Sequence, residues 1–369
     1  MDLPPASGAW RPGDPVGARH FETLFDARPH VLEAGGRLEH VTVAYETWGT
    51  LDPGGANAVL VLHALTGDSH AAGRDGWWDP VIGPGAPIDT NRWFVVCPNV
   101  LGGCQGTTGP ASPSADGLPY GSRFPILTIR DQAVVEAALA DRLGIDRWAA
   151  VVGGSMGGMR ALEWIVAFPE RVERAVVVSV GAKATAEQIA WGSMQIRAIQ
   201  ADPRWRGGDY YDAPDGEGPQ VGLEIARGIG QISYRSELEF DARFGRDHQG
   251  DEDPLDGGRY AVESYLEYHG AKLTRRFDAN TYLALSRAMN HHDIGRGRGG
   301  VETALTRVRA EVAVAGISSD RLYPLRLQHA LAAALPNATD VEIIQSPCGH
   351  DGFLVESEAV GKVIRRALA

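Results

Sequence analysis

The chain has 369 residues, 44% of them hydrophobic and 22% charged, and its 35 Lys and Arg against 47 Asp and Glu leave a net charge of −12. That balance suits a globular protein large enough for one α/β domain with an insertion, and it argues against general binding to nucleic acid or an acidic membrane. Cys97, Cys104 and Cys348 are too few and too scattered for a disulfide framework or a Cys-x-x-Cys metal pair, and no apolar run of about 18 residues offers a membrane span. Residues 1–15 lack the apolar core of a signal peptide, so a cytoplasmic location is expected.

Residues 1–18 read as a mobile or draped arm. The run 30–38 reads as a strand entering the Gly35-Gly36 turn, with 41–47 as its returning partner, so the sheet is expected to open on a hairpin. The runs 58–62 and 93–97 are uniformly apolar, as strands buried on both faces should be. A long Gly/Pro/Ser-rich connection follows, 98–125. Thr128 then caps a helix, with Asp131 three residues on, and Gly144 ends it. A buried strand in the apolar run from Ala149 that ends in Gly-Gly-Ser, a helix at 156–168 and a strand at 175–180 continue the alternation, which predicts a mostly parallel sheet covered by helices.

From Lys183 to Arg298 the pattern is helical. Helices are expected at 185–201, at 280–289 and in a third segment of which 221–233 is part, separated by polar, Gly-rich stretches. This block reads as a helical lid over the carboxyl edge of the sheet, where open α/β sheets hold ligands. The core therefore divides into 1–182 and 299–369 around a lid at 183–298. It resumes with a strand at 311–317, a helix at 324–335, a short strand at 341–344 and a closing helix at 353–368.

Gly153-Gly154-Ser155-Met156-Gly157 lies between an apolar strand and a helix, the context of a nucleophile elbow. A serine hydroxyl needs a base, and the base needs an orienting carboxylate. In the order Ser, acid, His, the strand-end loops supply Asp320 and His350, with Asp340 and Asp351 as the lesser candidates for the acid. Asp320 has a competing role, as a cap for the helix near Pro324. Oxyanion donors are expected from the N–H of Met156 and from the loop after 58–62, where Leu65 is the choice. His63 reads as loop-shaping. The neighbouring His291 and His292 do not share a helix face, so no metal site is expected.

The segments 63–70, 99–110, 153–164, 318–324 and 349–352 together resemble the homoserine O-acetyltransferase family, a branch of the α/β-hydrolase fold. Of these, 99–110 (Asn99 through Gly102, Gly103 and Cys104 to Pro110) has no counterpart in generic esterases of that fold. The resemblance implies that Ser155 takes an acetyl group from acetyl-CoA and passes it to L-homoserine for methionine synthesis. It implies that Arg227 holds the amino acid carboxylate and Asp351 its ammonium, with Tyr234 lining the pocket. It further implies a homodimer joined through the lid, and acetyl-CoA as co-substrate with no bound cofactor. Succinyl-CoA as donor (with Arg321 as an extra cation), serine as acceptor, and simple carboxyl-ester hydrolysis are the alternatives.

Overall fold

The computed structural model describes residues 3–369. Eight strands form one sheet: β1 (His20–Leu24), β2 (Val41–Trp48), β3 (Ala58–Leu62), β4 (Phe94–Pro98), β5 (Trp148–Gly154), β6 (Val172–Val178), β7 (Glu311–Ile317) and β8 (Glu342–Ile344). Their spatial order is β1-β2-β4-β3-β5-β6-β7-β8. The two joins made by β2 are antiparallel and the rest are parallel.

The expected opening hairpin needs correcting. The stretch 30–38 folds on itself, with His30 opposite Leu38, and the partner of β2 is β1, which was not anticipated. His20–Leu24 is half exposed along an edge, so it lacks the apolar run that marks an interior strand.

Residues of the central strands alternate between two buried layers. Leu60, Leu62 and Val151 face α1 (Ile129–Arg142) and α2 (Met156–Ala167). Val59, Val61 and Val152 face the layer that holds Val360, Val363 and Ile364 of the last helix. A capping box between Thr128 and Asp131 starts α1 as expected. The closing helix is broken at Glu356 into α10 (Gly352–Val355) and α11 (Ser357–Ala367).

The lid comprises α3 (Ala186–Ala201), α4 (Gln220–Tyr234), α5 (Glu237–Arg243), α6 (Ala261–Thr274) and α7 (Ala279–Asn290). α5 and α6 are additions to the three helices read from sequence. α6 buries Tyr265, Gly270, Leu273 and Thr274, a face on which glycine and threonine interrupt the apolar stripe. A short α8 (Val301–Leu305) leads back to β7, and α9 (Leu325–Ala334) joins β7 to β8.

The N-terminal arm is draped over the lid–core boundary. Ser7 donates to the buried carboxylate of Asp278 at 2.7 Å, and the N–H of Trp10 donates to the Cys104 carbonyl at 2.9 Å. No helix among the described residues is long and apolar enough to cross a membrane.

Candidate active site

β3, β5 and β6 end level with one another, Leu62 beside Gly153 and Val178 beside Gly154. The chain reverses at this edge with Ser155 at φ 56°, ψ −125°. A non-glycine residue held there stores roughly 1–3 kcal/mol of backbone strain. The turn closes only because its flanks are bare: a Cβ on Gly157 would strike the Leu62 carbonyl, and one on Gly153 the Gly157 carbonyl.

Three distant side chains meet over that turn. His350 Nε2 lies 2.8 Å from Ser155 Oγ, and its Nδ1 lies 2.7 Å from Asp320 Oδ2. Asp320 does not cap α9. Its other oxygen accepts the Tyr323 N–H at 2.8 Å, which fixes the carboxylate toward the imidazole. Asp340 is exposed and is not among the residues that line the Ser155 cavity.

Burial alone would depress the His350 imidazole, but the adjacent Asp320 charge and hydrogen bond outweigh it and raise the pKa above the ordinary histidine value. Tyr323 stacks on the ring at 5.0 Å and Phe353 meets it edge-on at 5.5 Å. The arrangement can remove the serine proton as an acyl carbon is attacked, and return it to a leaving group.

Several supports carried no signal in the sequence. Ser319 donates to the Ser346 carbonyl at 2.6 Å and accepts the Gly349 N–H at 2.9 Å, which stitches the acid loop to the histidine loop. Ser236, at the start of α5, donates to the Pro347 carbonyl, so the lid also holds that loop. Gly349, at φ 66°, is where they touch, since a Cβ there would come within 2.5 Å of the Tyr234 carbonyl.

Beneath the site, Arg160 of α2 is fully buried, paired to Glu136 of α1 at 2.7 Å and donating to the carbonyl of His63. Burial and then the Arg160 charge push the His63 pKa well down, so this imidazole is neutral. It accepts the Val100 N–H through Nε2 at 3.0 Å and donates from Nδ1 to the Ala64 carbonyl at 2.7 Å. The loop-shaping role expected of His63 thus has a geometry. It ties the segment that begins at Asn99 to the turn carrying Leu65.

Ser155 opens into a cavity of about 120 Å³ lined from the core by Leu65, Thr66, His350 and Asp351, and from the lid by Arg227 and Tyr234. Met156 is buried at the start of α2, directly after the serine. The Arg227 guanidinium lies 5.8 Å from the Tyr234 ring centre and 3.5 Å from Thr66 Oγ1. With the Gln231 amide turned to satisfy its neighbours, its oxygen accepts from Arg227 at 2.8 Å and 3.2 Å.

Asp351 faces the same space, with Arg235 at 3.2 Å as a partner the sequence had not indicated. Burial pushes the Asp351 carboxyl up, and Arg235, His350 and Arg227 oppose that rise. Arg321 is not among the lining residues. It donates to the Ile232 carbonyl at 2.7 Å, near the end of α4. His291 and His292 are apart from the site; His292 is buried, with Nε2 3.0 Å from the Gly181 carbonyl.

A model of the alpha/beta hydrolase fold family matches residues 57–357. The homoserine O-acetyltransferase of Thermobifida fusca (strain YX) is 57% identical, over 99% of this chain and 97% of its own length. Among solved structures, the homoserine O-acetyltransferase from Bacillus anthracis superposes with a TM-score of 0.87 at 29% identity, covering 95% of this chain and 97% of that one. Esterase E22 gives the same TM-score at 28% identity, covering 95% and 99%. One fold and one level of likeness therefore accommodate both an acyl transferase and an esterase.

Proposed function

We propose, since this chain belongs to the homoserine O-acetyltransferase family of the α/β-hydrolase fold, that it moves an acetyl group from acetyl-CoA to the hydroxyl of L-homoserine through an acyl-enzyme on Ser155. In the first half, His350 Nε2 takes the hydroxyl proton while Ser155 Oγ attacks the thioester carbonyl. The N–H groups of Leu65 and Met156 receive the developing oxyanion. The carbon–sulfur bond breaks, and the proton passes from His350 to the departing thiolate. In the second half, His350 takes the proton of the homoserine hydroxyl, whose oxygen attacks the acetyl-serine carbonyl. O-acetyl-L-homoserine leaves, and Ser155 regains its proton.

The observation that carries this reading is the pair of opposite charges, Arg227 and Asp351, in one small cavity with Ser155. A guanidinium fork suits a carboxylate, and a carboxylate suits an ammonium, so the cavity matches a zwitterion. An acetyl donor fits better than a succinyl donor. A second carboxylate would need a further cation at the cavity, and Arg321 is not among the residues that line it.

The likeness to esterase E22 makes hydrolysis the competing reading. Incubation with mixed acyl-CoAs and a mixture of homoserine and serine, followed by mass spectrometry, tests both. O-acetylhomoserine as the main product is expected. Thiol release that ignores the amino acid would favour the hydrolase.

The lid supports a homodimer as well. Val221 and Ile225 of α4, 55% and 52% exposed, border a groove with Ala198 and Ala201 of α3. An apolar strip of this kind on a highly acidic chain suits burial against a second copy.

A further inference from the structure

We infer that the cleft between the N-terminal arm and the lid holds the phosphate-bearing nucleotide of the acyl donor, an inference that rests on acetyl-CoA being that donor. The cleft encloses about 530 Å³ and is lined by Arg11, Arg19, Arg275 and Arg276 together with Trp10, Gln105 and Asp14. On a chain of net charge −12, so many guanidinium groups around one hollow are a local reversal of sign.

How these arginines are held matters more than their number. Arginines elsewhere are commonly neutralised, as Arg130 is by Glu33, Arg160 by Glu136 and Arg259 by Glu252. Among the described residues, Arg11, Arg19 and Arg276 form no salt bridge. Arg19 is fixed by neutral oxygens, donating to the carbonyls of Val16 at 2.9 Å, Pro15 at 3.0 Å and Gln105 at 3.3 Å. It also lies 5.5 Å from the Trp10 ring centre. Arg276 donates to the Thr66 carbonyl at 2.9 Å. The carboxylate of Asp14 is turned onto the Arg11 N–H at 2.7 Å. Carbonyl oxygens orient a guanidinium without cancelling its charge, so the hollow stays cationic and preformed for an anion.

Thr66 connects this hollow to the chemistry. Its hydroxyl meets Arg227 and its side lines the Ser155 cavity, while its carbonyl meets Arg276 on the cleft side. A thioester whose acyl end reaches Ser155 past Thr66 would bring its far end to these arginines. The walls are firmly built: Gln105 donates to the carbonyls of Arg276 at 2.7 Å and Gly8 at 3.3 Å, and Gly8 N–H donates to the Phe277 carbonyl at 3.2 Å. The arm thus forms one wall of the donor site.

The test compares acetyl-CoA with S-acetylpantetheine, which lacks every phosphate, in the wild-type enzyme and in Arg11→Glu. Arg11 is exposed, and a ratio of two kcat/KM values from one sample cancels any loss of folded protein. The preference for acetyl-CoA is expected to fall roughly tenfold in the variant, the size of one charge-assisted contact reversed. Adenosine bisphosphate is expected to compete with acetyl-CoA in the wild type and more weakly in the variant. That arm separates the nucleotide of coenzyme A from the phosphopantetheine of a carrier protein, which has none. An unchanged ratio, or no competition, overturns the assignment. Failure of the wild type to acetylate homoserine from either donor would instead overturn the proposed function.

Discussion

The core and the lid solve different problems with different means. The core presents Ser155 from a turn whose flanking strands, β3, β5 and β6, are buried along their length at the ends that meet it. Its geometry is fixed by backbone register. The lid presents Arg227 and Tyr234 from α4, a helix that leaves Val221, Ile225 and Ile232 exposed. Its residues reach the site only through contacts such as Ser236 with the Pro347 carbonyl. Bond-making is thus placed on the core, while the charges that face the acceptor are divided between Arg227 of the lid and Asp351 of the core.

Substitutions on either side should separate these roles. Ser155→Ala is expected to lower kcat by at least about 10⁴-fold with every donor and acceptor, because triad members act as a unit. Single-turnover acetylation measured by mass spectrometry checks it, and a normal burst in that variant would remove the core from the mechanism.

Arg227→Ala should raise the KM for homoserine by roughly 10- to 100-fold, from the loss of a charge-assisted fork. Acylation by the thioester should stay nearly intact, so steady-state kinetics beside a burst measurement distinguish the two half-reactions. Abolition of the burst would move Arg227 from the acceptor to the donor step.

The pH dependence probes the core alone. His350 must be neutral to act as base, and its pKa is raised, so the acid limb of kcat/KM should have its midpoint above the free histidine value of about 6.5. Asp320→Asn should shift that limb down while slowing the reaction. Stability runs in the opposite sense. A raised folded-state pKa contributes stability that is fully present below the unfolded value and is lost as pH rises through the folded one.

The smallest effect on chemistry is expected from Val221→Glu with Ile225→Glu. Sedimentation should show a monomer where the wild type gives a dimer, with turnover per chain changed less than severalfold. A wild-type monomer at working concentrations would leave the lid's apolar strip without its proposed partner.

Local pattern sufficed for much of this. Strand-turn-helix spacing located Ser155, and glycines around it marked a close approach that only the missing side chain permits. The chain order of loops after late strands selected Asp320 and His350, and apolar runs located the interior strands. These signals survive in one dimension because each depends on neighbours a few residues apart.

The edge strand β1, the helix α6 and the Arg235 partner of Asp351 were not legible, because their partners lie far along the chain and leave no periodic trace. The same holds for the Glu136–Arg160 pair, and for the cationic hollow built from residues 11, 19, 105 and 276. Composition and spacing determined which groups could react. Folding alone decided which of them touch, since a hydrogen bond or a desolvated charge exists only once its distant partner has been brought within about 3 Å.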